Sequence, residues 1–207
     1  KSIWFHAAAR AAEGNASPKR QKAKDSAIFG VACAGEDSAY CDFQAGFSGN
    51  VRRFMIMAYT FIEGGVTAAQ GFTASGVHCG IRRNKSKADL ALIFSEKPCA
   101  AAGVYTLNKV KGAPILVTKR NLQNGIAQAV VCNSGNANTC NADGEEKAWR
   151  MCEITGQALG LDPSDVIVAS TGVIGEILPI EPIEEGVPEA AKELNRFGSE
   201  AAAMAIM

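Results

Sequence analysis

Histidine is nearly absent from this 207-residue chain, which holds only His6 and His78. A histidine-built metal centre or a Ser-His-Asp triad therefore has almost nothing to draw on, and His78 reads as a packed or surface residue, not a base. The seven cysteines (Cys33, Cys41, Cys79, Cys99, Cys132, Cys140 and Cys152) are odd in number and include no C-x-x-C pair. That excludes a simple zinc ribbon or a closed disulfide framework and favours reduced, mostly buried thiols. An excess of one charge is missing too. Lys plus Arg and Asp plus Glu both number 21, leaving no net field to attract nucleic acid or an anionic membrane. No run approaches the roughly eighteen apolar residues that cross a bilayer, and the first residues lack the apolar core of a secretory signal. The expected setting is the cytoplasm, without nucleic-acid or membrane partners.

What is present is enough apolar residue, 47% of the chain, to build the core of one large domain or two small ones. It is unevenly patterned. Residues 1–54 hold an alanine-arginine stretch (7–12), a basic cluster at Lys19, Arg20, Lys22 and Lys24, and scattered glycine, with no sustained period. Clear patterning begins just after Met55 and Met57. Residues 1–54 are therefore expected to be a non-native or unstructured extension. The alternative is a transit peptide, given the sparse acidic residues among the first 24, which would make the protein mitochondrial.

From Glu63 a glycine-punctuated turn leads to a short strand over Thr73–Gly80, a polar hairpin tip with solvated basic residues over 80–87, and a buried strand over Asp89–Ser95. Two further strands are expected at Ala100–Thr106 and Pro114–Thr118. Such closely spaced strands predict an antiparallel or mixed sheet and speak against a pure βαβ nucleotide-binding fold. A strand at Ala127–Cys132 ends in Asn133-Ser134-Gly135-Asn136-Ala137-Asn138. Asparagine tolerates left-handed backbone and bonds nearby peptide groups, so this reads as a tight loop held by its own side chains, with a ligand contact as the alternative. A helix follows from Glu145 to about Leu159, capped by Asp143 or Gly144 and ended by Gly160; Ala148, Cys152, Thr155 and Leu159 share one face, widened by Trp149 and Met151. Pro188 suits the first turn of another helix reaching Asn195.

The stretch Val166-Ile167-Val168-Ala169-Ser170-Thr171-Gly172-Val173-Ile174-Gly175 is a candidate seat of chemistry: a β-branched strand stops at small and hydroxyl residues, where backbone N–H groups become available. Three readings stay open. In an acyl-transfer enzyme, the Thr171 hydroxyl and Gly172 N–H would donate to the oxyanion of a tetrahedral intermediate. In a nucleotide-binding module, Gly172–Gly175 would be a phosphate loop, although neither G-x-G-x-x-G nor a Walker lysine is present. In a structural or interaction module it would be an ordinary strand-to-helix turn. The absence of an adjacent base argues against Ser170 or Thr171 as a nucleophile.

Five segments together resemble the ornithine acetyltransferase family, the glutamate N-acetyltransferases of arginine biosynthesis. They are Glu63-Gly64-Gly65-Val66-Thr67-Ala68 with Gly71-Phe72; Asp89-Leu90-Ala91-Leu92-Ile93; Ala102-Gly103-Val104-Tyr105-Thr106-Leu107-Asn108-Lys109-Val110; Asn133 to Asn138; and Ala169 to Gly175. The resemblance runs from about Tyr59 to Met207. It implies an α+β, αββα layered fold similar to N-terminal-nucleophile hydrolases and a precursor that cuts itself before a threonine into α and β chains. It also implies a ping-pong cycle in which that threonine carries acetyl from N-acetylornithine to glutamate. Thr171 and Gly172 match the family's oxyanion hole. No metal or organic cofactor is implied, with acetyl-CoA as a possible second donor. The partner implied is the β chain of the same precursor, in an αβ hetero-oligomer.

The same resemblance places Ala205-Ile206-Met207 just before a threonine-rich substrate-binding turn. Residues 55–207 are accordingly expected to be the N-terminal portion of the acetyltransferase domain, stopping before the self-cleavage site. The nucleophile and the substrate-binding residues would lie beyond Met207, and the 207 residues alone would be inactive.

Overall fold

The computed structural model describes residues 62–84 and 86–207. The extension expected over residues 1–54 lies outside the described residues, as do Met55, Met57, His6, Cys33 and Cys41.

Four strands, β1 (Phe72–Val77), β2 (Leu90–Ala100), β3 (Ile126–Asn136) and β4 (Val166–Val173), form one sheet in that order. The first three alternate in direction, whereas β4 lies parallel to β3. The mixed sheet expected from the strand spacing is thus observed. Its parallel pair follows from the connection: β1 and β2 are joined without a helix, but β3 and β4 are joined through helix α2 (Gly144–Leu159), long enough for a crossover.

The alternation of side chains along each strand divides the sheet into two faces. Leu90, Leu92, Val131, Val166 and Val168 point to one face and pack with Met151, Ile154, Ile183 and Val187 in the main core. These partners come from α2 and from α3 (Glu181–Lys192), with Val117 added by α1 (Ala113–Asn121). Ala74, Ala91 and Cys132 point to the other face, where Ala202 and Ala205 of α4 (Ser199–Ile206) cover them. Small residues let this helix come close. A Cβ on Gly76 would lie 2.1 Å from the Ala201 carbonyl oxygen, so only glycine fits there.

Helix α2 matches its sequence expectation to within one residue at the start. Gly160 closes it in the left-handed region (φ 70), a conformation that suits a residue without Cβ, and its N–H donates to Gly156 O. Met151, Cys152 and Thr155 are buried, and Trp149 sits under the Arg120 guanidinium, 4.6 Å from its ring centre.

Three local expectations are corrected. Pro114–Thr118 is not a strand but most of α1, with Pro114 in the first turn, where a missing N–H costs nothing. The strand expected at Ala100–Thr106 ends as it begins, at Ala100, and residues 101–112 are irregular apart from a bend. The helix expected to start at Pro188 starts at Glu181; Pro182 occupies its first turn and Pro188 lies inside it. Pro188 is exposed, so the carbonyl left without its N–H partner can turn to water.

Helix α1 protects the outer edge of β4. Thr118 Oγ1 donates to Val168 O (2.8 Å) and accepts from Val168 N–H (3.1 Å), while Asn121 Nδ2 donates to Val166 O (2.8 Å). Two polar side chains replace the missing neighbour strand. Among the described residues no helix is long and apolar enough to cross a membrane.

Candidate active site

Because β3 and β4 run in the same direction, their polar ends lie side by side. The pairing is Asn133 with Ser170, Ser134 with Thr171, Gly135 with Gly172, and Asn136 with Val173. The two stretches singled out in the sequence therefore form one site. Alternation puts Ser134 and Thr171 on the same face as the Cys132–Ala169 pair two residues earlier.

Thr171 Oγ1 is 3.3 Å from Ser134 Oγ and 3.5 Å from Asn133 O. Thr171 is half-buried and Gly172 exposed, so a hydroxyl and a backbone amide sit together at the accessible end of a rigid strand. Gly172 has φ 132, in the region that favours glycine, and a Cβ there would meet Gly135 C at 2.3 Å. This site is no strand-to-helix turn: residues 174–180 separate β4 from α3. Nor does Gly172–Gly175 form a free phosphate cradle, because Gly175 N–H is spent on Thr139 O (2.9 Å) and no helix starts there.

A third segment, read from the sequence as a solvated hairpin tip, closes over this pair. Asp89 is fully buried and accepts backbone N–H bonds from Cys79 (2.7 Å), Gly80 (3.2 Å) and Arg82 (2.9 Å). Its own carbonyl accepts from Ser134 N–H (2.8 Å). The turn at 79–82 is thereby tied to β3, with Ile81 and Arg82 laid against Gly135. The Arg82 guanidinium donates from Nη2 to Ser134 Oγ. Burial by itself would raise the Asp89 carboxyl, but the N–H groups of Arg82 and Cys79, with the Cys79 thiol and nearby His78, outweigh it and hold the carboxyl below its usual range. The neighbouring Cys79 thiol is pushed up to about 12, by burial first and then by the Asp89 charge. His78 Nδ1 bonds Lys87 O (2.8 Å) and lies 3.3 Å from Asp89 Oδ2, a packed position at the surface and not that of a base.

The asparagine-rich stretch, expected as a loop from Asn133, instead continues β3 to Asn136, because Asn133–Asn136 pair with Ser170–Val173 of β4; its side chains hold this strand end and the turn after it. Asn133 Nδ2 donates to Asn136 O (2.9 Å), Asn136 Oδ1 accepts from Asn138 N–H (2.8 Å), and Asn138 Nδ2 donates to Gly144 O (2.8 Å). Asn138 takes φ 46, the left-handed conformation asparagine tolerates. Asn136 and Asn141 both bond Glu176 O, fixing the segment after β4 to the same strand end and turn. Beside the site an apolar cleft of about 390 Å3 is lined by Tyr105, Ile115, Val130, Ile167 and Ser170 among others. The five described cysteines are free thiols; Cys140 is exposed, and burial pushes Cys132 and Cys152 up to about 12.

Asp89 and Arg82 are the residues that sequence reasoning passed over as parts of this site. Only Asp89 left a signal, a charged residue heading an otherwise apolar buried strand.

Residues 73–207 match the profile of the ArgJ family. The chain is 48% identical over 151 residues to the arginine biosynthesis bifunctional protein ArgJ of Gloeobacter violaceus, covering 72% of this chain and 37% of that protein. It is 47% identical over 149 residues to the protein of the same name from Symbiobacterium thermophilum, covering 71% of this chain and 37% of that protein. The chain thus spans just over a third of the length of these curated relatives. Among solved structures, it is similar to ornithine acetyltransferase of Mycobacterium tuberculosis complexed with ornithine: TM-score 0.67, 41% identity, 69% of this chain and 78% of that chain. The fold is thus the ornithine acetyltransferase fold, incomplete over these residues.

Proposed function

The chain belongs to the ArgJ family, and on that premise we propose that it is the N-terminal part of an acetyltransferase carrying acetyl from N-acetylornithine to glutamate in arginine biosynthesis. Thr171 and Gly172 are its oxyanion hole. The observation that supports this most directly is their geometry: a half-buried hydroxyl and an exposed amide at the end of one strand, the residue types and the exposure a developing oxyanion needs.

The nucleophile is a threonine outside this chain, freed by self-cleavage of a precursor. Its hydroxyl attacks the acetyl carbonyl of N-acetylornithine, and its own α-amine takes the hydroxyl proton. Charge gathers on the carbonyl oxygen, which receives hydrogen bonds from Thr171 Oγ1 and Gly172 N. Collapse of the intermediate, with the α-ammonium giving that proton to the leaving nitrogen, releases ornithine and leaves an acetyl-enzyme; the amine of glutamate, losing a proton to the α-amine, attacks that ester through the same oxyanion site, and return of the proton to the threonine oxygen regenerates the hydroxyl. None of these steps calls for a metal or organic cofactor, and acetyl-CoA can enter as an alternative acetyl donor. The working unit pairs this segment with the β chain of the same precursor in an αβ hetero-oligomer. The 207 residues alone are inactive.

Steady-state transfer by the complete protein carrying Thr171→Ala tests this reading. Loss of one oxyanion donor lowers kcat by about 10²–10³, or about 2.7–4 kcal/mol, with an unchanged circular dichroism spectrum. A wild-type rate in the variant would remove Thr171 from the mechanism.

A further inference from the structure

We propose that the Arg82 guanidinium is a fixed positive charge serving the oxyanion site, stabilising the acyl oxygen as it becomes negative without touching it. The inference rests on the role assigned above to Thr171 and Gly172 and adds a group outside the Thr-Gly pair.

Ser134 Oγ is a common acceptor: Arg82 Nη2 donates to it, and Thr171 Oγ1 donates to it from 3.3 Å. With one ordinary hydrogen bond and that separation laid end to end, the cation stands within about 6 Å of the Thr171 hydroxyl. That is less than the Debye length of about 8 Å at physiological salt, so mobile ions screen little of the interaction. Ser134, which links the two, is 3% exposed, and its neighbour Asn133 is 0% exposed. Charge acts more strongly across such buried groups than across water. The effect is selective for the transition state. An acetyl carbonyl is neutral in the ground state and negative in the tetrahedral intermediate, so a nearby cation stabilises the second far more than the first. It does so whichever way either hydroxyl points. Because the charge is already in place, nothing has to reorganise during the reaction.

Arg82 is held in place, and its charge is not spent elsewhere. Its backbone N–H donates to the buried Asp89 carboxylate at 2.9 Å, and Asp89 O accepts from Ser134 N–H at 2.8 Å, so the turn and the strand end share one anchor. A Cβ on Gly135 would lie 3.0 Å from Arg82 Cγ, which shows how closely the arginine stem is laid against β3. The Asp89 carboxylate is taken up by the backbone N–H groups of Cys79, Gly80 and Arg82 and lies 3.3 Å from His78 Nδ1. Among the described residues Arg82 makes no ion pair, with Asp89 or with any other carboxylate.

The test compares the complete wild-type protein with Arg82→Lys, Arg82→Gln and Arg82→Met in steady-state transfer from N-acetylornithine to glutamate. Lysine keeps the charge, glutamine keeps only a donor for Ser134, and methionine keeps neither. A charge role requires kcat to fall about tenfold in both Arg82→Gln and Arg82→Met and to stay within about threefold in Arg82→Lys, with KM within about twofold throughout. A wild-type kcat in Arg82→Gln overturns it and assigns the side chain to holding Ser134. A rise in KM alone overturns it and marks a cation holding a substrate carboxylate. A loss in Arg82→Lys equal to that in Arg82→Met overturns it too, since shape and not charge then matters. The acetyl-enzyme gives a second reading. The infrared stretch of its isotope-labelled ester carbonyl is lower in wild type and Arg82→Lys than in Arg82→Gln, and equal frequencies overturn the proposal. If one neutral variant does not fold, the other decides by the same outcomes. A wild-type protein unable to transfer acetyl sinks the proposed function itself, whereas an active protein whose neutral variants keep their kcat sinks the charge role alone.

Discussion

Gly135 and Gly172 stand opposite each other on neighbouring parallel strands, both with positive φ (106 and 132), and a Cβ on Gly172 would reach Gly135 C at 2.3 Å. Neither strand can yield without moving the other. Gly172→Ala in the full-length protein is expected to cost about 2–4 kcal/mol, combining a disfavoured φ with a backbone clash. The midpoint of urea unfolding measures it, and a midpoint equal to wild type would show that the strand ends part more easily than this geometry implies.

Asp89 makes stability depend on acid. Its folded carboxyl titrates below the unfolded value of about 3.9, so its contribution is complete above that pH and is lost as pH falls through the folded value. Asp89→Asn keeps the shape but weakens the acceptor for three backbone N–H groups, at a cost of about 1–3 kcal/mol near neutrality. Unfolding free energy measured from pH 7 to pH 3 should fall less steeply in the variant. Parallel acid limbs would rule out this role.

Thr118→Val removes a hydroxyl at nearly constant volume. Val168 N–H and C=O then lose their partner at the edge of β4, and about 1–3 kcal/mol of stability should go with it. Hydrogen exchange at the Val168 amide gives a local readout: protection falls there before it falls in α2. Unaltered protection would mean that another group caps the edge.

Thiol reactivity separates exposure from burial. Alkylation of the folded protein at pH 8 should label Cys140 first among the described cysteines and leave Cys132 and Cys152, both pushed up to about 12, unmodified until unfolding. Peptide mapping by mass spectrometry reads the order directly. Early labelling of Cys152 would contradict the packing of α2 against β4.

The legible parts were those where local preference and burial agree. The β-branched run at Val166–Val168 is a strand in the core, and Gly160 ends α2 because a left-handed residue is needed there. The illegible parts are where tertiary contacts decide. Pro114-Ile115-Leu116-Val117-Thr118 has strand-forming side chains, yet Val117 enters the core and Thr118 bonds β4 only if the segment coils. In α3 the earlier proline, Pro182, marks the start, and the exposed Pro188 is tolerated inside. Thr171 and Gly172 could be singled out by residue type, but Arg82 could not. An arginine in a polar turn looks solvated unless the buried acceptor for its backbone, Asp89, is known to sit beside Ser134.

The parallel pairing of β3 and β4 gives the sheet a working end and an idle end. Asn133–Asn138 and Thr171–Gly175 both leave through the same rim, whereas Ile126 and Val166 open the strands at the opposite rim. Chain entering at the idle end can be lengthened or tagged around Asn124–Gly125 without reaching the oxyanion donors. A single residue inserted within β4 before Thr171 instead rotates every later side chain to the other face and points the hydroxyl away from Ser134. Distance along the sheet, more than distance along the sequence, sets how much alteration the chemistry can survive.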